Sequence, residues 1–104
     1  MRIAKVVGKV TLNRCHPSFD GATLKMVIPM SLDEMTGREE LRPDFLVAWD
    51  QLGAGPGSVI ALSEGPEASN PFRPELKPID AYNSAILDHL EVGSELIKPD
   101  GAIP

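Results

Sequence analysis

Glycine and proline recur along the whole sequence, and their spacing limits the folds that the chain can adopt. The 104 residues include ten prolines and nine glycines, which separate short apolar runs and do not gather in one block. Proline interrupts regular elements, and glycine supplies the backbone angles that tight turns require. This pattern predicts a fold of many short elements joined by turns. It is not the pattern of a disordered tract.

The apolar runs between these turns show the two-residue alternation of half-buried β-strands. In the first run, Ala4 and Val6 fall on one face while Lys5 falls on the other. Gly8 interrupts this run, and a glycine inside a strand indicates a bulge or a sharp bend. The alternation predicts five strands, at residues 3–12, 24–30, 45–49, 58–63 and 85–92.

One short helical element is expected before the last strand, at residues 78–83. Asp80 is the predicted N-cap of this turn, because its carboxylate can accept hydrogen bonds from free backbone amides. Five short strands with one short helical turn predict a mainly β fold, a small five-stranded OB-like β-barrel. We expect a single barrel domain at residues 1–92 and a C-terminal tail at residues 93–104.

The charge balance argues against nucleic acid as a partner. The formal net charge is -5, and no run of lysine or arginine occurs, so the chain repels a phosphate backbone. No apolar stretch approaches the roughly 18 residues of a membrane span, and the N-terminus predicts no signal peptide. The single cysteine, Cys15, cannot form an internal disulfide, which fits a reducing cytosol.

The glycine-rich segment at residues 53–57 invites comparison with phosphate-binding loops. A Walker loop requires a lysine after its last glycine, and a dinucleotide fingerprint opens a helix. Here no lysine follows, and the next run has a β pattern. We interpret these glycines as a means of close backbone approach, including approach to a neighbouring subunit.

Residues that could catalyse a reaction or bind a metal are few and scattered. Cys15 and His16 are adjacent, so their side chains point apart on an extended chain. The other histidine is His89, whereas a metal site needs three or four converging ligands. The acidic residues at 33–40 fit a solvated face, and Trp49 fits a core or interface anchor. We therefore predict no catalytic residue, no bound metal and no cofactor.

Several motifs nevertheless occur in a distinctive order. Residues 50–57 read Asp-Gln-Leu-Gly-Ala-Gly-Pro-Gly and closely resemble the Asp-x-x-Gly-Ala-Gly-x-Gly signature of the EutN/CcmL family, the pentameric vertex proteins of bacterial microcompartments (BMC-P). Further segments resemble motifs of the same family in the same order: 1–10, 17–24, 63–65, 78–81 and 86–88. The chain departs from the family pattern after Gly65, where residues 66–70 replace small hydroxyl residues followed by an arginine.

The resemblance implies a structural protein without enzymatic activity. It implies a homopentamer at the vertices of a microcompartment shell in the cytoplasm, a polyhedral, carboxysome-like shell, in contact with hexameric and trimeric shell proteins. A cyclic pentamer joins two unlike patches on neighbouring copies. Glycine density and the family pattern together select the candidate pore or subunit-interface residues Gly53, Ala54, Gly55, Ser63, Gly65 and Asp80.

Two other functions remain open at this stage. The first is an OB-fold nucleic-acid-binding module, which would bind single strands in a salt-dependent manner. The second is a small enzyme with a site between subunits, for which Cys15, His16 and the acidic cluster are the only support.

Overall fold

The computed structural model describes residues 1–93 and 95–97, and its centre is a closed five-stranded barrel. The strands follow one another around the barrel in the order β1-β2-β3-β5-β4, and β4 pairs with β1 to close it. The β3–β5 pair is parallel and the other pairs are antiparallel. The predicted mainly β, five-stranded OB-like barrel is confirmed. Its strands are β1 (Arg2–Val10), β2 (Leu24–Pro29), β3 (Leu46–Trp49), β4 (Val59–Glu64) and β5 (Ala81–Ile86).

Short helical elements and a second, two-stranded sheet lie outside the barrel. The helix α1 covers Leu32–Met35, and 3-10 segments cover Pro17–Phe19 and Gly65–Phe72. A separate two-stranded sheet follows the barrel, made of β6 (Leu90–Val92) and β7 (Glu95–Ile97).

The barrel interior is filled mainly by small and β-branched side chains, together with Leu62. Alanine and valine suit this place because a five-stranded barrel leaves little width for larger groups. The core cluster consists of Ala4, Val6, Val27, Ala48, Ala54, Ile60, Leu62 and Ala81. Ala54 belongs to the β3–β4 loop, so this loop closes one end of the barrel.

The inward face of β2 is not its more apolar face. Val27 points into the core, and by alternation Lys25 shares its side while Leu24, Met26 and Ile28 lie on the outside. Leu24 and Ile28 are buried as well, but they are not members of the barrel core cluster. The barrel therefore carries apolar side chains on its outer surface.

The glycine in β1 marks a bulge, as the sequence predicts. The pairing with β2 shifts between Val6 and Gly8, which leaves Val7 as the extra residue, 41% exposed. A Cβ atom at Gly8 would meet Sδ of Met26 at 3.3 Å. Glycine at this position thus lets β1 bend closely over β2.

The predicted helical turn at residues 78–83 is wrong, and so is the role of Asp80 as its N-cap. β5 begins at Ala81, and the carbonyl oxygen of Asp80 accepts a hydrogen bond from the Gly65 amide at 2.9 Å. The polar residue Asn83 points inward and is buried. Because this buried amide interrupts the apolar alternation, the sequence pattern did not predict a strand at residues 81–86.

The last predicted strand, at residues 85–92, is in fact divided. β5 ends at Ile86, and residues 90–92 pair with β7 outside the barrel. In the predicted tail, residue 94 and residues 98–104 lie outside the described residues. The division into a barrel domain and a tail at residue 93 stays a prediction.

The helix α1 has a complete capping box at its N-terminus. The Ser31 hydroxyl accepts from the Glu34 amide, and the Glu34 carboxylate accepts from the Ser31 amide at 2.9 Å. The other carboxylate oxygen accepts from the Arg42 amide, also at 2.9 Å. The amide of Ser31, together with that of Arg42, lowers the pKa of the Glu34 carboxyl below its ordinary 4.5.

The capping box should make part of the stability sensitive to acid. Because the folded state lowers the pKa of Glu34, its contribution is present above the pKa of the unfolded chain. It is lost as the pH falls through the lower, folded value. Glu34→Gln should therefore reduce the free energy of unfolding at about pH 7, and the deficit relative to the wild type should shrink at about pH 3. Urea unfolding at both pH values measures this.

The same substitution at an exposed position, Glu40→Gln, provides a matched control, because Glu40 lies outside the capping box. A Glu34→Gln deficit of equal size at both pH values would contradict the assigned role of the carboxylate.

Candidate functional site

The loop between β3 and β4 is organised by one buried carboxylate. The side chain of Asp50 is 1% exposed. Its Oδ1 accepts from the Leu52 amide at 3.0 Å, and its Oδ2 accepts from the Ala54 amide at 2.8 Å. These bonds hold residues 50–54 in a turn. Aspartate is common at the first position of turns, because its side chain can accept hydrogen bonds from backbone amides that follow it.

Two side chains from neighbouring strands complete the surroundings of Asp50. Nδ2 of Asn83 in β5 donates to Oδ1 at 2.9 Å, and Nζ of Lys25 in β2 lies 3.9 Å from Oδ2. A buried carboxylate is tolerated when it is paired and its oxygens are hydrogen-bonded. Asp50 thereby fixes the loop to two strands of the barrel.

The glycines of this loop fall into two groups. Gly53 and Gly57 have φ angles of 78° and 90°, which L side chains rarely adopt. Gly55 has no such angle, and a Cβ atom there would meet nothing within 4 Å. Between them, Ala54 is buried in the barrel core. Among the residues that the structure describes, neither the φ angle nor a nearby atom requires glycine at residue 55.

The remaining candidate interface residues form a second group at the far end of β4. Gly65, with φ of 69°, donates its amide to the Asp80 carbonyl, and the Ser63 hydroxyl hydrogen-bonds with the hydroxyl of Ser84. The strand β4 separates this group from Gly53, Ala54 and Gly55. The structure thus divides the six candidates between two ends of one strand.

An aromatic cluster lies on the outer surface of the barrel. The Trp49 ring stacks on Phe19 with centroids 5.8 Å apart, and Phe72 lies at 4.7 Å. Phe72 also meets Tyr82 edge to face at 5.7 Å. Trp49 is only 4% exposed, so its ring does not offer a free face on which a nucleic-acid base could stack.

Lys77 holds this aromatic cluster and the surrounding loops together. Its Nζ lies 5.7 Å from the centroid of Trp49 and 5.9 Å from that of Phe72, which is cation–π geometry. It also donates to the Ser18 carbonyl oxygen at 2.7 Å. The sequence analysis missed this arrangement, because its members come from four separate segments.

The residues considered for metal binding or catalysis do not converge. His16 Nδ1 accepts from the Ser18 amide at 3.1 Å, while His89 lies beside Asp88 and Glu91. Cys15 is exposed. Within residues 1–93 and 95–97, no three histidine, cysteine, aspartate or glutamate side chains group in a way that could hold a metal ion. No helix in the same residues is long and apolar enough to cross a membrane.

Comparisons with known proteins agree with this architecture. The family model described as "Ethanolamine utilisation protein EutN/carboxysome" matches residues 1–88. The carboxysome shell vertex protein CcmL of Synechococcus elongatus is 34% identical over 92 residues, which cover 88% of each chain. The structure of CcmL from a Nostoc species superposes with a TM-score of 0.77 at 32% identity, covering 92% of this chain and 96% of that one.

A pentameric microcompartment shell protein, GrpN of Rhodospirillum rubrum, also has this fold. It superposes with a TM-score of 0.70 at 26% identity, covering 88% of this chain and 98% of that one. Fold, loop signature and family match together define the class, a small β-barrel of the kind found in shell vertex proteins. The chain belongs to the EutN/CcmL family.

The Asp50 network can be tested by a change that preserves shape. Asp50→Asn keeps one acceptor oxygen but removes the charge, and its amide group faces the loop amides as a second donor. We expect the free energy of unfolding to fall by about 3 kcal/mol, measured by urea denaturation. Asp44→Asn, at an exposed position, should change it by less than about 0.5 kcal/mol. Equal effects of the two substitutions would contradict the central role of Asp50.

Proposed function

We propose that this chain is a structural, non-catalytic protein that forms a homopentamer and caps the vertices of a bacterial microcompartment shell. The observation that carries the proposal is the family match across residues 1–88, together with the likeness to a shell protein described as pentameric. Flat layers of shell protein cannot form a closed polyhedron by themselves. A pentamer at each vertex supplies the curvature that closes the shell.

The surface of the barrel supports assembly. A ring of five identical copies requires two unlike flanks, one that meets the other on the next copy. Exposed apolar residues occur on β3 and in two loops of the surface, among them Val47, Leu12 and Leu52. Scattered apolar residues are ordinary on a monomer, but here Leu12 and Val47 line the same groove around Trp49.

Gly55 supports contact between subunits in the β3–β4 loop. Its backbone conformation does not demand glycine, and the subunit leaves open space where a Cβ atom would lie. Close approach of a second backbone is a physical reason for glycine at such a position. We therefore assign the loop of Gly53, Ala54 and Gly55 to a pore or subunit interface, with Gly55 as the contact residue and Ala54 holding the loop to the core. Ser63, Gly65 and Asp80 form the second part of the same proposal.

The vertex role implies that the partners are hexameric and trimeric shell proteins, which form the flat facets. It also implies a location in the shell of a microcompartment in the cytoplasm. The relatives described as carboxysome and microcompartment shell vertex proteins support this placement.

Substitution at Gly55 tests the assignment of the loop. Gly55→Leu should leave the barrel folded, because the subunit itself has room for the side chain. It should reduce the pentameric fraction about tenfold or more, because overpacking a contact costs about 1–3 kcal/mol. Sedimentation velocity measures the fraction, and circular dichroism measures folding. Glu40→Leu, on an exposed loop outside both groups, is the control. An undisturbed Gly55→Leu pentamer would count against a packing role.

Co-assembly tests the function itself. The chain is co-expressed with the hexameric and trimeric shell proteins of its own host, and the products are imaged by electron microscopy. We expect closed polyhedra when the chain is present, and open or tubular assemblies when it is omitted. Closed polyhedra at equal frequency in both samples would contradict the vertex role.

A further inference from the structure

We propose that His16 is a pH-sensitive switch: its neutral imidazole holds residues 16–19 against the aromatic cluster around Trp49, and its protonation loosens them. The switch goes beyond the proposed function and does not depend on it, because every contact involved lies within one subunit.

His16 caps the 3-10 segment Pro17–Phe19 through a ring nitrogen. Its Nδ1 accepts a hydrogen bond from the Ser18 amide at 3.1 Å. The Ser18 hydroxyl lies 2.9 Å from the same nitrogen, and because an accepting Nδ1 carries no proton, this hydroxyl donates to it as well. The preferred N-cap residues are serine, threonine, aspartate and asparagine, which accept through oxygen. Here the accepting group is an imidazole.

The cap exists only while the imidazole is neutral. A neutral imidazole has one accepting and one donating nitrogen, whereas an imidazolium has two donors and no acceptor. A proton on Nδ1 of His16 would therefore meet the two donors of Ser18. The residue is exposed, and histidine ordinarily changes its charge between about pH 5 and 8. The cap is present at the upper end of this range and is lost as the pH falls through it.

The capped segment provides two contacts to the aromatic cluster. Phe19 stacks on Trp49 with 24° between the ring planes. The Ser18 carbonyl oxygen accepts from Nζ of Lys77, whose ammonium group lies over the same indole ring. Both contacts come from the two residues that follow Pro17. Loss of the cap therefore loosens the segment that places them beside the indole.

The change is local and leaves the barrel folded. Two backbone hydrogen bonds also hold the segment, from the Phe19 amide to the His16 carbonyl at 2.9 Å and from the Asp20 amide to the Pro17 carbonyl at 3.0 Å. None of the residues of this segment is buried. We therefore expect a change in the surroundings of the indole and not an unfolding of the subunit.

Charged side chains of both signs surround the imidazole. The charged or titratable residues that line a surface depression together with His16 are Arg14, Cys15, Lys77 and Asp80. Oε2 of Glu75 lies 3.3 Å from Nζ of Lys77. A proton on His16 would be attracted by Asp80, but it would add a positive charge beside Lys77. Repulsion from that ammonium group acts in the same direction as the loss of the cap.

The composition makes this switch easy to observe. The sequence contains one tryptophan and two histidines, so indole fluorescence reports on Trp49 alone. Carboxylic acids ordinarily titrate below about pH 5 and thiols above about pH 8. The emission of the full chain should change reversibly between about pH 7.5 and 5.5.

Three variants assign this change to the cap. His16→Asn keeps an acceptor at the same number of bonds from Cβ but does not titrate, so its emission should be constant between about pH 7.5 and 5.5. His16→Ala removes the cap, and its emission at the higher pH should equal that of the wild type at the lower pH. His89→Asn removes the other histidine and should titrate like the wild type.

Hydrogen exchange of single amides measures the cap independently of fluorescence, which an imidazolium near the indole could also quench directly. After correction for the intrinsic pH dependence of exchange, NMR should show the protection of the Ser18 amide falling about fivefold between pH 7.5 and 5.5, the effect of a lost N-cap. In His16→Asn it should stay constant. The Val6 amide, which donates to the Ser58 carbonyl in the barrel, is the internal control and should not change.

The contrary results are equally clear. A wild-type emission that is constant with pH, or one that changes equally in His16→Asn, would overturn the switch. So would an unchanged protection of the Ser18 amide, or a transition that disappears with His89 instead of His16. None of these results bears on the pentamer, because sedimentation of the same chain at a single pH measures that separately.

Discussion

The buried carboxylate of Asp50 is the interaction on which the closed end of the barrel depends. It accepts hydrogen bonds from two amides of its own loop and from Asn83 of β5, and it lies within 3.9 Å of the Lys25 ammonium group. These contacts join β2, β3 and β5 through a single side chain. They also place Ala54 in the core, and so they hold the glycine loop against the barrel. The signature at residues 50–57 is therefore first a folding motif.

The consequence for assembly follows from this rigidity. A loop fixed from inside the barrel presents Gly55 in a defined position, with open space on its outer side. The same holds for the groove around Trp49, where this ring packs against Phe19 and Phe72 and Lys77 lies over the rings. Preformed surfaces lose little conformational entropy on association. A small barrel can thus serve as a rigid unit of a symmetrical ring.

The sequence predicted the five-stranded barrel correctly, but it predicted the positions of only some of its elements. Regular alternation located β1 to β4 to within a few residues, and Gly8 marked the bulge correctly. β5 was misplaced because Asn83 points inward to meet Asp50, and a buried polar side chain breaks the apolar pattern that sequence analysis follows. The short helix was expected before β5, whereas the capping box of Ser31 and Glu34 forms it after β2. The aromatic cluster depends on contacts between distant segments, which no local pattern reveals.

The account rests on the claim that the isolated chain closes into a ring of five through two unlike flanks. Native mass spectrometry of the purified wild-type chain tests this claim most directly. The account predicts one dominant species with the mass of five 11.2 kDa chains. A dominant monomer or dimer across the concentration range would contradict it.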